Sequence, residues 1–374
     1  MSSTAQLAKT ALHDWHVARG ARMVDFAGWS MPVQYSSIVE EHRATREAVG
    51  LFDISHMGRV LLDGPDTAAF LDRLMTRSVA DMKPQQIRYS LMCNEAGGVL
   101  DDVLVYRPVL REEEPTGGFG AVINASNREK IIAWMKSQLG EYQVEINDKT
   151  HEYSMVSMQG PKAIEVLDPF TDEELTSMRY YTGRLMSVAG VECFVSRTGY
   201  TGEDGVELVC DSDKLLGVWE QLIEAADRVD GLPVGLAARD TLRLEAGMPL
   251  YGHELLESIN PVEAQLDFAI NLRDREFVGK AAIEAFQSDS NQRVRVGLQL
   301  EGRRVPREEC KLLRGEDEVG LVTSGTFSPT FDHPIAMGYV KPTMSAVGTT
   351  LDADIRGKLH PATVVPLPFY QRGK

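Results

Sequence analysis

The sequence predicts an α+β fold in which two related α+β modules precede a small all-β barrel or sandwich. Three observations lead to this prediction. In a short internal repeat, Gly64-Pro65 and Gly160-Pro161 each follow a strand-like run and each precede a Leu-Asp pair by seven residues. Strand-like runs at 87–93 and 99–106, joined by a five-residue loop containing Gly97-Gly98, predict a β-hairpin. After about residue 285, Gly and Pro separate short strand-like segments at intervals of about 8–12 residues.

The composition is that of an ordinary globular protein. The chain has 374 residues, 43 % of them apolar and 25 % charged, enough for roughly two or three domains. Its net charge of −16 argues against non-specific nucleic-acid binding, which requires a high density of Lys and Arg. No secretory signal and no run approaching the ~20 apolar residues of a membrane span is visible, so a cytoplasmic location without membrane association is expected. The four widely spaced cysteines are expected to be reduced.

The first half of the chain is predicted to alternate helices with strands. Helical spacing of apolar or charged residues predicts helices over 5–20, 37–48 and 128–139. Strands are predicted at 59–62 and 119–124, and the polar segment 110–118 is predicted to be a loop. Pro65 and Pro161 are expected at the first position of a helix, where a missing N–H is tolerated.

The second half continues the pattern and then changes. Strands are predicted at 191–195 and 206–209, on either side of a glycine-rich turn, followed by helices over 215–226 and 236–246. The strands of the final all-β unit are predicted at 294–300, 308–313, 318–324, 335–340, 349–355 and 359–365.

Two adjacent acids, Asp101 and Asp102, enter an otherwise apolar strand directly after the Gly97-Gly98 turn. Neighbouring residues of a strand point to opposite faces, so one acid is expected to point inward and the other to solvent. Burial would raise the pKa of the inward acid and suit it to acid–base work. The alternative is a turn acid that caps its own backbone.

The segment 196–208 combines three glycines, an aromatic residue and three acids, as in a loop that faces a ligand. Glu207 lies between Val206 and Leu208 in a predicted strand, so its carboxylate is expected to be buried and to need a partner. A heterocycle with adjacent N–H and NH2 donors, such as a pterin, would supply a bidentate partner. The alternative is a hairpin turn whose glutamate is paired within the protein.

Other candidate residues are less specific. Arg239 and Arg243 lie one helical turn apart and would hold a carboxylate or pair with Glu207, or else belong to a solvated helix face. His56 is interpreted as a base or, more commonly for such a residue, as a satisfied core histidine. The histidines form no HxxxH or HExxH pattern, so no metal is expected, and the common glycine-rich phosphate-binding motifs are absent.

Taken together, these segments resemble the aminomethyltransferase, or T-protein, family of the glycine cleavage system. The resemblance runs from about residue 12 to residue 370, and the matching segments keep the family's order. They are 23–29, 50–58, 93–102, 196–208, 235–240 and 323–325.

The resemblance implies a three-domain cloverleaf around a central folate cavity. The implied domains are a discontinuous folate-binding α+β domain (1–50 plus 150–280), an α+β domain that carries the Asp101-Asp102 hairpin (51–149) and a C-terminal β-barrel (285–374). The implied activity is transfer of a methylene group from the aminomethylated lipoyl arm of the H-protein to tetrahydrofolate, which acts as co-substrate. Ammonia, 5,10-methylenetetrahydrofolate and the dihydrolipoyl H-protein are the implied products.

The resemblance also assigns residues. Asp102 matches the family's catalytic aspartate, whose implied role is to orient the folate amines and to stabilise the cation that forms as the C–S bond breaks. The remaining positions match folate-binding residues of the family, with a loose alignment at the last one: Glu207, Arg239, Tyr200, Tyr89, Met57 and Tyr370. Asp101 is left as the turn or solvent-facing acid.

Two positions depart from the family pattern, and either is expected to reshape the pocket. Gln265 stands where the family usually has Gly, and Met248 stands where a relative carries an aromatic residue. Two rival functions therefore stay open: a folate-dependent demethylase that acts on a sulfur or nitrogen methyl donor, and a non-catalytic folate-binding protein.

Overall fold

The structure, a computed structural model, describes residues 6–109, 118–289 and 292–373. The described residues form a six-stranded sheet, a five-stranded sheet, a closed six-stranded barrel and a small three-stranded sheet near the N-terminus. Helices pack against the two larger sheets, so the predicted α+β class is confirmed. Almost all of the predicted loop 110–118 falls outside the described residues.

The N-terminal segment is less helical than predicted. The predicted helix over 5–20 is reduced to His13–Ala18, because the chain before it forms the short strand Ala8–Lys9. That strand joins a hairpin of the strands Arg22–Phe26 and Trp29–Gln34. The predicted helix over 37–48 is confirmed as Ile38–Glu47, and the hydroxyl of Ser37 caps its N-terminus.

The first sheet is the six-stranded one. Two helices, Ala163–Leu167 and Leu215–Asp227, bury their apolar faces against it. The second of them confirms the predicted helix over 215–226. A further helix, Leu236–Glu245, confirms the predicted helix over 236–246 and is called the central helix below. In spatial order the strands of the first sheet are Gly183–Val188, Val191–Ser196, Gly205–Asp211, Tyr153–Gln159, Gly50–Asp53 and Leu232–Pro233.

The second sheet is the five-stranded one and contains the predicted hairpin. The strands Ile87–Cys93 and Val99–Tyr106 pair antiparallel, with Leu91 opposite Asp102. One face of this sheet is covered by the helices Thr67–Leu74 and Arg128–Ser137. In spatial order its strands are Ile87–Cys93, Val99–Tyr106, Phe119–Ile123, Gly58–Asp63 and Glu145–Asp148.

The internal repeat corresponds to equivalent strand–turn–helix units in the two sheets. Gly64 and Gly160 both adopt positive φ, 132° and 140°, at the turn. The expectation that Pro65 and Pro161 occupy the first helical position is wrong, because each helix begins two residues later. In each unit an additional turn intervenes, in which the first helical N–H donates to the carbonyl of the glycine.

The C-terminal unit is a closed barrel, so of the two predicted alternatives, barrel and sandwich, the barrel is confirmed. Its strands pair antiparallel and the first pairs with the last, so no sheet edge stays open. The strand predicted at 318–324 is longer than expected, Asp317–Ser328. The remaining strands are Val294–Leu300, Lys311–Arg314, His333–Val340, Thr350–Ile355 and Lys358–Val365.

The three β assemblies follow the predicted order of modules along the chain. The strand Gly50–Asp53 pairs within the first sheet, whereas the predicted boundary at residue 51 would cut through it. The domain limits themselves stay a prediction. Other elements are the helix Lys280–Gln287 and short 3-10 helices at Ala125–Asn127, Asp168–Phe170, Leu175–Ser177, Asp267–Ala269 and Pro342–Met344. Among the described helices, none is long and apolar enough to cross a membrane.

The Gly97-Gly98 turn brings the hairpin against another segment of the chain. Gly97 adopts a φ of 80°, which suits a tight turn. A Cβ atom at Gly98 would lie 1.7 Å from the carbonyl oxygen of Glu257, so backbone contacts backbone here. The glycine pair therefore anchors the strand that carries Asp101 and Asp102.

We expect Gly98→Ala to lower the free energy of unfolding by about 2–4 kcal/mol, because the methyl group would collide with an immobile carbonyl. Gly217→Ala is the matched control, since Gly217 is an exposed helical residue with open space around it. The control should be stabilised by about 0.5–1 kcal/mol. Urea denaturation of both variants measures the difference, and equal stabilities would contradict the contact.

A candidate active site where the three β assemblies meet

A cavity of about 1040 Å³ lies where the two larger sheets and the barrel meet. The first sheet contributes Glu207, the second sheet contributes Tyr89 and Asp102, and the barrel contributes Arg295 and Ser324. The central helix and the segment after it line another wall. The cavity thus collects residues that are far apart in the sequence.

Asp102 faces this cavity from the strand Val99–Tyr106. Its carboxylate accepts hydrogen bonds from Asn124 Nδ2 at 2.7 Å and from the Tyr89 hydroxyl at 3.2 Å. Burial raises the pKa of Asp102, and both hydrogen bonds oppose that rise. The two donors hold the carboxylate in one orientation toward the cavity.

Asp101 is buried, with 0 % of its surface exposed, so the expectation of a turn or solvent-facing acid is wrong. Side chains alternate along the strand as predicted, but the face opposite the cavity is covered by helices rather than by water. Asp101 accepts hydrogen bonds from Asn127 Nδ2 at 2.7 Å and from the backbone N–H of Asn124 at 3.0 Å. Burial and the neighbouring charge of Asp102 raise the pKa of Asp101 to about 7.

Asn124 connects the two acids. Its Nδ2 lies 2.8 Å from Asp101 Oδ1 and 2.7 Å from Asp102 Oδ1, so one amide donates to both carboxyl groups. The sequence reasoning missed Asn124 and Asn127 as site residues. Their one sequence signal is weak: two amides spaced three apart directly after a buried strand.

Glu207 is buried, as predicted, but its partner is a hydroxyl group. Thr198 Oγ1 donates to Glu207 Oε2 at 2.5 Å. Burial raises the pKa of Glu207, while the Thr198 hydrogen bond and the charge of Arg239 act in the opposite direction. The other carboxylate oxygen is left for a further donor in the cavity.

The two arginines of the central helix have different surroundings. The guanidinium of Arg243 is hydrogen-bonded within the protein, since it donates to Glu254 and to Ser324 at 2.8 Å each. The guanidinium of Arg239 lies over the ring of Tyr200, 4.9 Å from its centroid, and makes no hydrogen bond to any described residue. The predicted direct pair of an arginine with Glu207 is therefore not formed.

His56 is buried against the cavity, and the interpretation as a satisfied core histidine is wrong. Its Nδ1 has no hydrogen-bond partner among the described residues. Burial and the positive charge of Arg239 lower the pKa of His56 to about 3. The imidazole is therefore neutral at physiological pH, and so low a pKa makes it too weak a base to suit a role as general base.

Of the predicted binding residues, all but one meet in the cavity. Tyr370 lies apart, with the Arg46 guanidinium 3.8 Å from its ring centroid and its backbone N–H bonded to Glu245. Its place outside the cavity follows from the C-terminal tail packing against the central helix. The predicted residues that line the cavity are Asp102, Glu207, Arg239, Tyr200, Tyr89 and Met57.

Of the two residues that depart from the family pattern, Met248 and Gln265, only the first lines the cavity. Met248 lines the cavity, as expected for a residue that shapes it. Gln265 is exposed outside the cavity and adopts a φ of 57°, a conformation that favours Gly. The backbone thus explains why a glycine suits that position.

The sequence reasoning also missed Phe268 and Arg295. Phe268 is 63 % exposed at the cavity and stacks on Tyr89 with 5.8 Å between ring centroids. Arg295 is buried in the barrel wall and donates to the carbonyl of Gly247 at 3.1 Å. Within the described ranges, no group of three or more His, Cys, Asp or Glu side chains is arranged to bind a metal ion.

Comparisons with known proteins agree with this architecture. Residues 12–274 match the family model of the GCVT N-terminal domain, and residues 293–371 match that of the glycine cleavage T-protein C-terminal barrel domain. An aminomethyltransferase of Streptomyces coelicolor is 44 % identical over the full length of both chains. One from Desulfitobacterium hafniense is 42 % identical over 98 % of this chain and 99 % of its own. The crystal structure of glycine cleavage system aminomethyltransferase T from Bartonella henselae superimposes with a TM-score of 0.90 at 33 % identity, covering 98 % and 99 % of the two chains.

The raised pKa of Asp101 predicts a pH-dependent stability. Between about pH 4 and pH 7 the folded protein holds a proton at the acid pair that the unfolded chain has released, so the free energy of unfolding falls as pH rises through this window. Asp101→Asn cannot titrate at this position. The free energy of unfolding of the wild type minus that of the variant should therefore fall by at least about 1 kcal/mol between about pH 5 and pH 8.

The control for this measurement is Asp213→Asn, because Asp213 is exposed to solvent. Its difference from the wild type should stay constant over the same pH range. Denaturant titrations of the three proteins at each pH give these differences, and a constant difference for Asp101→Asn would disprove the raised pKa.

Proposed function

The chain belongs to the glycine cleavage T-protein family of aminomethyltransferases, and we propose that it transfers the methylene group of an S-aminomethyldihydrolipoyl H-protein to tetrahydrofolate. The products would be ammonia, 5,10-methylenetetrahydrofolate and the dihydrolipoyl H-protein. The single observation that supports this reaction best is the convergence of Asp102, Glu207 and Arg239 on one cavity.

The cavity suits a folate in size and in chemistry. Its volume of about 1040 Å³ is at the upper end of the range of small-molecule sites, about 300–1,000 Å³. Glu207 offers a carboxylate oxygen to adjacent N–H and NH2 donors, and Arg239 offers unpaired donors to a carbonyl oxygen. A pterin presents both kinds of group on one edge. Tyr89, Tyr200 and Met57 provide flat or apolar surface for its rings.

Asp102 has the surroundings of an electrostatic catalyst. Tetrahydrofolate, when bound, supplies the amine that accepts the one-carbon unit. Asn124 and Tyr89 hold the Asp102 carboxylate in place before the reaction, so little reorganisation is needed. A fixed negative charge beside the reacting atoms stabilises the positive charge that develops on carbon as its bond to sulfur breaks. Asp102 also orients the N–H groups of the acceptor amine.

Asp101 supports this role without contacting substrate. Burial and the charge of Asp102 raise the pKa of Asp101 to about 7, so a proton on Asp101 would leave the charge of the pair on Asp102, while Asn124 donates to both acids. The lipoylated H-protein is the proposed partner, since its flexible arm would carry the aminomethyl group into the cavity. The cytoplasmic location stays a prediction.

The decisive experiment supplies purified protein with aminomethylated H-protein and tetrahydrofolate, and measures methylenetetrahydrofolate and ammonia. We expect both products, with formation dependent on the lipoyl group. Product from a sulfur- or nitrogen-methyl donor instead would establish the demethylase alternative. Tight folate binding without product from either donor would establish the non-catalytic alternative.

Asp102→Asn should lower kcat roughly 10²- to 10³-fold, because the amide keeps the shape of the side chain but loses its charge. Folate affinity should change little, since Glu207 and Arg239 are intact. Asp213→Asn is the control and should retain full turnover. Steady-state kinetics and folate titration separate the two effects, and wild-type turnover in Asp102→Asn would remove this residue from the mechanism.

A further inference from the structure

His56 is a buried polar side chain that the proposed mechanism does not use. It follows the strand Gly50–Asp53, lines the cavity and is 2 % exposed. Neither of its ring nitrogens forms a hydrogen bond with a described residue, and Nδ1 is completely buried. Buried polar groups in proteins are almost always hydrogen-bonded, so an unpaired imidazole at a cavity wall calls for an explanation.

The charged neighbours of His56 cannot supply the missing hydrogen bond, because their own groups are occupied. Arg59 donates to the backbone carbonyls of Ser55, Met57, Thr150 and Tyr153. Asp53 accepts from the ring of His16 and from the backbone N–H of Ser55. Phe26 meets the imidazole edge-on at 5.3 Å and covers it with apolar surface.

Arg239 is the third charged neighbour, and its charge acts on His56 through the cavity. Three polar groups with different capacities therefore share this region. Glu207 as a carboxylate only accepts hydrogen bonds, Arg239 only donates them, and a neutral imidazole donates from one nitrogen and accepts at the other. Such a set matches a heterocycle that carries donors and acceptors on neighbouring atoms.

We propose that His56 is a ligand-binding residue whose neutral imidazole forms a hydrogen bond with the pterin heterocycle of tetrahydrofolate, beside Glu207 and Arg239. This inference rests on the proposed function, since it names a further contact for the same co-substrate. The hydrogen bond would satisfy a group that is unpaired in the protein alone, so ligand binding removes the cost of burying it. His56 acts in recognition, and Asp102 keeps the chemical role.

The neutral state of the imidazole fits this role. A charged histidine would repel the guanidinium of Arg239 and would only donate hydrogen bonds. The low pKa that burial and Arg239 impose keeps both a donor and an acceptor available at physiological pH.

The test compares two substitutions with the intact enzyme. His56→Phe keeps a ring of similar shape but removes both nitrogens, and should raise the Kd and KM for tetrahydrofolate about 10-fold while kcat changes less than about twofold. His56→Gln places an amide near the position of Nε2, the ring nitrogen that is not fully enclosed by protein, and should restore most of the affinity. His151→Phe is the matched control: His151 is exposed and stacks on Trp29 outside the cavity, so folate affinity should not change.

The outcomes separate the possible causes. Wild-type affinity in His56→Phe would overturn the inference alone. An equal loss in His56→Phe and His56→Gln would also overturn it, because the effect would then come from packing. A wild-type protein that fails to bind tetrahydrofolate would overturn the proposed function, and this inference with it.

A second measurement covers the case in which His56→Phe does not fold. Wild-type protein labelled with ¹⁵N at its histidine rings, with His56 assigned from the spectrum of His56→Gln, is titrated with tetrahydrofolate. A new hydrogen bond should shift one ring nitrogen of His56, while the ring of His151 should stay unchanged. Unshifted His56 nitrogens at saturating ligand would overturn the inference.

Discussion

Buried ion pairs and charge-assisted hydrogen bonds tie the central helix to the barrel and to the N-terminal part of the chain beside the cavity. Arg243 reaches the barrel through Ser324 and the segment after the helix through Glu254. Glu245, at the end of the same helix, binds Arg46 of the N-terminal part and the barrel hydroxyls of Ser328 and Thr330. Removing one partner of a buried charge is far costlier than losing a surface pair, so these contacts constrain the position of the barrel relative to the central helix.

The low pKa of Glu245 indicates how strongly these contacts stabilise its ionised carboxylate. Burial by itself would raise the pKa of this carboxyl group. Its hydrogen bond with His42, together with the positive charges around it, lowers the pKa to about 2 instead. The cavity therefore depends on an ionised carboxylate whose partners come from separate parts of the chain.

Buried polar groups in and around the cavity differ in their hydrogen bonds. Asp101 accepts from two asparagines, and Arg243 donates to a carboxylate and a hydroxyl group. The cavity groups Arg239 and His56 lack hydrogen-bond partners among the described residues. Other buried polar atoms without a partner, such as Trp219 Nε1 and Thr10 Oγ1, lie outside the cavity, so it is the place of Arg239 and His56 in the cavity wall that makes them candidates for ligand contacts.

Local sequence patterns predict the secondary-structure elements and the candidate acids, whereas the surroundings of those acids depend on how the elements pack. The hairpin around Gly97-Gly98, the helix Leu215–Asp227 and the barrel strands follow from local periodicity and turn residues, which act over a few neighbours. Alternation along a strand separated Asp101 from Asp102 correctly, but only the helices packed on the second sheet made Asp101 a buried acid. Asn124, the free donors of Arg239 and the place of Tyr370 outside the cavity likewise depend on contacts between distant segments, which no local pattern encodes.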